Sequence, residues 1–168
     1  SSLAEAAVET AALLEEEHGT DEAVETQSLL LFRAGSAEPK AVPVGLVTRI
    51  EDIKVSDIEC ATGTPVVQYR GDLVPLVYFS DEVERRTEGL QPVLIFSDNG
   101  RSMGLVVDEI VDIIEDHVDV QLPSESSGIV GTAILSGRAT ELLDVGHFLG
   151  LAFADWFVPP ARKDREER

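Results

Sequence analysis

The chain has 168 residues, 43% of them hydrophobic, which allows one domain or two small ones with a core that needs neither disulfide nor metal. Thirty-two Asp and Glu against thirteen Lys and Arg give a formal charge of −19, which excludes nucleic acid and anionic membrane as partners because so few cations cannot offset a phosphate surface. With 5% aromatics and one Trp, a base-stacking platform is not suggested either, and a basic or dipolar protein partner fits better.

Residues 1–26 contain eight acids and no Lys or Arg. Strong helix formers in "LAEAAVETAALLEEE" predict a short helix stopped by Gly19, followed by a polar linker to Thr26. This acidic leader reads as a docking helix or as a solvated, frayed one. It has neither the basic start nor the apolar stretch of a signal peptide, and no run of eighteen apolar residues follows, so the chain is expected to be soluble and cytoplasmic. The first residue is not Met, which reads as a segment of something longer.

From residue 27 the pattern changes from helical to alternating or continuously apolar. "QSLLLF", "VPLVYF", "QPVLIF", "MGLVV", "IVDIIEDHVDV" and "GIVGTAIL" are short, rich in Val, Ile and Leu, and separated by turn residues. Asn99-Gly100 in "SDNGRS" is the strongest hairpin signal, since both residues accept positive φ. The folded part is placed at 27–157. "VPPARKDREER" at 158–168 has the composition of a polar tail or linker. Cys60, the only cysteine, rules out an internal disulfide and a multi-thiolate zinc site, and reads as a small buried hydrophobe rather than a reactive thiol.

The chain repeats itself. Gln27–Phe32 returns as Gln91–Phe96, 64 residues on; Val42–Ile50 resembles Leu105–Ile113, 63 on; the hairpin around Gly71 returns around Gly137, 66 on. Three blocks in one order at a nearly constant offset indicate two copies of one supersecondary unit, each with room for about five strands and a short helix. Hence the expected fold class: all-β with a few short helices, two pseudo-symmetric five-stranded SH3-like barrels packed side by side, plus an N-terminal helix. The first barrel is placed at about 27–80 and the second at about 91–150, with a groove at their junction.

Catalytic signatures are missing from the pattern. His18, His117 and His147 have no metal-ligand spacing, and no cysteine lies beside them. His147 reads as structural, at the start of a short helix, and His117 as an outward strand residue. Asp108, Glu109, Asp112, Glu115 and Asp116 lack an adjacent nucleophile or cationic orienter and read as a solvated face. The glycines form no phosphate cradle. No catalytic residue, metal or cofactor is therefore expected, and the inter-barrel groove keeps open a small enzyme or a ligand-binding double barrel as an alternative.

Binding signals are better developed. Val44 and Val47 are three apart on an expected short helix and so face one way, with Arg49 beside them. Arg70 at the hairpin turn is one of few cations on an acidic body. Tyr69 next to it combines an apolar ring with a wet tip, as interfaces prefer. Two barrels with similar but unequal faces also suit head-to-tail joining of neighbours.

At "AVPVGLVTRI", "QYRGDLVPLV", "GRSMGLVVDEIVDIIED" and "GTAILSGRATELLDVGHFL" the sequence resembles the CheW-like domain family of bacterial chemotaxis, over about residues 27–150. The resemblance implies a non-catalytic coupling module. By this likeness Val44, Val47, Arg49, Arg70 and Ile113 are partner-binding candidates, and Tyr69 and Leu73 on the same hairpin are counted with them. The implied partners are the adaptor CheW, a chemoreceptor's cytoplasmic tip and kinase core domains, at receptor arrays. The acidic leader and the "ADWFVPPARKDREER" ending look most like the regulatory domain of a CheA-type histidine kinase, with a free-standing adaptor as the alternative. One departure stands out: "VPLVYFSDEVERR" lacks the Asp-led helix that usually follows the hairpin, which Asp144 keeps in the second half only.

Overall fold

A computed structural model describes residues 25–153, so the expected N-terminal helix and the polar tail lie outside the described residues. Six strands belong to the first repeat: β1 (Gln27–Arg33), β2 (Lys40–Pro43), β3 (Arg49–Lys54), β4 (Glu59–Ala61), β5 (Thr64–Tyr69) and β6 (Asp72–Tyr78). Six more belong to the second: β7 (Leu90–Asp98), β8 (Arg101–Val106), β9 (Glu109–Asp116), β10 (Val120–Pro123), β11 (Ile129–Leu135) and β12 (Arg138–Leu143), followed by helix α1 (Val145–Ala152).

These strands form two six-stranded sheets, each the size of a small barrel with one extra short strand, β4 or β10. One sheet runs β10-β11-β12-β2-β1-β9 and the other β4-β5-β6-β8-β7-β3. Advancing every strand of the second sheet by six places in chain order, cyclically, reproduces the first. The duplication is therefore present in three dimensions, with one feature that the repeat alone did not predict. The opening hairpin of each copy, β1-β2 or β7-β8, is built into the other copy's sheet, joined by the parallel pairs β12·β2 and β6·β8. The barrels consequently do not divide the chain at 27–80 and 91–150. One draws on 49–106; the other combines 27–43 with 109–143.

The exchanged strands carry the sequence that makes this favourable. Leu29, Leu30 and Phe32 on β1, and Val93, Leu94, Ile95 and Phe96 on β7, are wholly buried. Continuous apolar runs of this kind suit strands covered on both faces, whereas a half-exposed strand would alternate. On β1, Leu29 packs into a smaller core with Ala41, Val118, Ala133, Leu135 and Leu142, while Leu30 and Phe32 join a larger core containing Val67, Val74, Leu76 and the β7 run. Gly104 on β8 is small for the same reason: a Cβ there would come within 2.7 Å of Leu76 Cδ2 and Val93 Cγ1.

Four two-residue hairpin turns have positive φ at both positions: Thr62-Gly63, Arg70-Gly71, Asn99-Gly100 and Ser136-Gly137. Their left-handed pair matches the twist of the flanking strands, which is why Asn-Gly was legible. α1 starts at Asp144, whose Oδ1 accepts from the His147 backbone N–H at 3.3 Å, and it buries Val145, Phe148 and Leu149. The first repeat has no such helix after β6, as the missing Asp-led signal suggested. There the irregular stretch 79–89 is tied down by Asp108, whose two carboxylate oxygens accept from the Gly35 and Glu84 backbone N–H groups at 2.7 and 2.9 Å.

Four local expectations need correction. The helix expected around Val44 is a single 3-10 turn, Val44–Leu46, entered from Pro43 and closed by the Val47 N–H on the Val44 carbonyl. Cys60 is exposed, because β4 is a three-residue edge strand too short to have a buried face of its own. The acidic stretch 108–116 is more than a solvated face: Asp108 pins two loops, and Asp116 Oδ2 accepts from the Ser136 N–H at 2.9 Å across to the β11–β12 turn. His117 lies just past β9, half-buried, with its backbone N–H on Asp116 Oδ1.

Candidate protein-interaction surface

Three of the predicted residues meet in one place. Arg49 begins β3, Tyr69 ends β5 and Arg70 occupies the β5–β6 turn, and together they line a shallow pocket of about 130 Å³ completed by Thr48, Asp72, Val74, Ser97 and Ser102. Parallel pairing of β6 with β8 brings the β7–β8 serines beside the arginine turn. Ser97 and Ser102 stand opposite each other across the β7–β8 hairpin, with hydroxyl oxygens 2.6 Å apart.

Tyr69 is fixed in this pocket. Its hydroxyl donates to Glu51 Oε2 at 2.8 Å, and the Arg70 guanidinium lies 5.5 Å from its ring centroid. Burial pushes the phenol above its ordinary value, the bond to Glu51 and the charge of Glu51 push it further, and the nearby Arg70 and Arg49 pull the other way. The phenol therefore stays protonated and serves as a donor at neutral pH. Arg70 has φ +54°, a left-handed conformation that costs a non-glycine residue roughly 1–2 kcal/mol. The same turn in the second repeat carries Ser136.

The remaining predicted residues are spread over other surfaces. Val44 and Val47 are half-buried against the larger core, and Val44 faces a separate open depression with Gln27, Ser28, Pro43, Gly45 and Leu46. Leu73 is exposed on β6 opposite Gln68. Ile113 is exposed on β9, the outer strand of its sheet, opposite Leu30. Its repeat equivalent Ile50 is exposed in the same way on β3, the outer strand of the other sheet. The 63-residue offset could have identified Ile50, which sequence reasoning passed over. Leu122 and Ile134 are also exposed apolar side chains on β10 and β11 and were missed, since alternation alone does not say which face is covered.

A second pocket lies where the β1–β2 loop, the stretch after β6 and the β10–β11 loop meet, lined by Ser36, Ser80, Ser126, Ser127, Glu82 and others. Lys40 forms its floor, 4% exposed, with its ammonium 3.4 Å from Glu141 Oε1 and 3.2 Å from Ser36 Oγ. That ammonium is fully accounted for within the protein. Among the described residues no group of three His, Cys, Asp or Glu side chains could hold a metal ion, and no helix is long and apolar enough to cross a membrane.

Comparison with curated proteins returns no match. Among solved structures, the scaffolding protein TtCheW from Thermoanaerobacter tengcongensis matches with a TM-score of 0.58 at 18% identity, covering 73% of this chain and 91% of that one. At that identity the match establishes the fold, two SH3-like barrels, and its coverage corresponds to both sheets. A family model for the CheW-like domain matches residues 28–153, which spans β1 through the end of α1. With the repeat, the exchanged hairpins and the matched span in agreement, the chain belongs to the CheW-like domain family.

Proposed function

We propose that this domain is a chemotaxis scaffold of the adaptor kind, joining a chemoreceptor's cytoplasmic tip to a CheA-type kinase at receptor arrays, and that it acts by binding rather than by catalysis. The observation that carries the reading is the inequality of equivalent surfaces. Two copies of one fold unit present different chemistry at matching points: Arg70 against Ser136 at the turn, Gln68 against Ile134 and Leu73 against Ala139 on the strands behind it. A molecule with two unlike faces can join unlike neighbours head to tail, which a single self-complementary face cannot do.

The adaptor form is preferred to the kinase regulatory domain because the matching solved structure is named as a scaffolding protein. Val44, Val47, Arg49, Tyr69, Arg70, Leu73 and Ile113 are the residues proposed to contact partners. Signal passes if the receptor's two states bind the domain with different free energies. The test is size-exclusion chromatography of the purified chain with a CheA-type regulatory domain and, separately, with a receptor-tip fragment. Co-elution with both is expected. Elution of the chain alone from both mixtures, at concentrations where the fragments are folded, would sink the scaffold reading.

A further inference from the structure

We propose that the acidic leader, residues 1–24, seats an apolar stripe in the open depression beside Val44 and so competes with a partner for that surface. The competition rests on the scaffold reading; the seating stands without it. The depression, about 560 Å³, is walled by Pro43, Val44, Gly45 and Leu46 on one side and by Gln27 and Ser28 on the other. The 3-10 turn Val44–Leu46 buries none of its residues, although Val44 and Leu46 are apolar. Chain continuity selects the occupant. The described residues begin at Glu25, so the leader joins the fold two residues before Gln27, at the wall of the depression itself.

The leader's sequence fits the role. On a helix of about 100° per residue, Leu3, Ala7, Ala11 and Leu14 fall within an arc of about 80°, and Glu5, Glu9 and Glu16 fall opposite. A narrow apolar stripe backed by charge is the form in which a helix lies in a shallow groove. Helix 3–17 would be about 22 Å long, and the six residues from Gly19 to Val24 reach about 20 Å, enough for it to turn back along its own exit. The short tether holds the stripe at an effective concentration in the millimolar range, so a weak contact stays occupied. A second copy lacks that advantage and brings another charge of −19.

The experiment compares the full chain by methyl NMR in three forms: the native sequence, a stripe variant carrying Leu3→Glu and Leu14→Glu, and a control carrying Glu5→Gln and Glu9→Gln on the opposite face. The methyls of Val44 and Leu46 are expected to move in the stripe variant, by the same amount at every chain concentration, and to stay in place in the control. Unchanged methyl shifts of the wholly buried Leu94 and Ile95 check that the fold is kept. A leader seated about four-fifths of the time lowers apparent affinity at that surface about fivefold, so the stripe variant should bind a scaffold partner about fivefold more tightly than the native chain. Val44 and Leu46 methyls that stay in place, or that move only as chain concentration rises and so mark a second copy, would overturn the seating. Methyls that move while partner affinity stays equal would overturn the competition. Methyls that move while neither protein binds a partner would instead remove the scaffold reading and leave the seated leader.

Discussion

Phe79 and Phe148 stack at 5.5 Å between ring centroids, with an interplanar angle of 28°. Phe79 follows the last strand of the first repeat and Phe148 lies on α1 of the second, so the pair bridges the duplicated units, with Phe32 edge-on to Phe79 at 6.5 Å. Truncating Phe148 to Ala should destabilise the domain by about 3–5 kcal/mol, because a buried ring is lost and a cavity remains where both repeats meet. Urea denaturation followed by near-UV circular dichroism reads this. A loss below about 1 kcal/mol would mean that the junction contributes little beyond surface contact.

Asp108 makes a related connection with hydrogen bonds. Removing its carboxylate in Asp108→Ala leaves the Gly35 and Glu84 amides without their acceptor, at a cost of about 1–3 kcal/mol. Hydrogen exchange should quicken at those two amides before it quickens in β7 or β8. Uniform acceleration across the domain would contradict a local role.

The Tyr69 phenol gives a pH signature. Its folded value lies above the ordinary 10.0, with burial as the largest cause and Glu51 next. The folded state therefore holds the proton more tightly than the unfolded chain. Its contribution to stability is whole below the unfolded value and is lost as pH rises through the folded one. Urea midpoints measured from pH about 8 to about 11 should fall for the native sequence, and the part due to this residue should vanish in Tyr69→Phe. Equal slopes in the two proteins would show that Tyr69 is not held in its protonated form by the fold.

Strain at the β5–β6 turn separates stability from binding. Arg70→Asn relieves the left-handed arginine and should raise stability by up to about 1 kcal/mol. If Arg70 serves a partner, the same substitution lowers affinity for that partner while the melting temperature rises. Stability and affinity moving in the same direction would remove the functional explanation for the strained arginine.

Much of the architecture was legible in local chemistry. Period-two and continuous apolar segments marked the strands, Asn99-Gly100 marked a turn, Asp144 marked the start of α1, and the offset between the halves revealed the duplication. The site was legible only in pieces. Arg49, Tyr69 and Arg70 were recognisable as cations and an amphipathic ring, but Ser97 and Ser102 joined them only through the parallel pairing of β6 with β8.

What the sequence determined by itself was the repeat: two units of about five strands in the same order, to which the structure adds the short strands β4 and β10, with hairpin turns that each place a glycine second. Tertiary structure alone decided which strands became neighbours, and it exchanged the opening hairpins between units. The physical reason is that side-chain alternation reports whether a strand's faces are covered, not by what; the partner is chosen by non-local burial. β1, apolar on both faces, achieves that burial only between two cores, while the apolar run of β7 is buried wholly in the larger one.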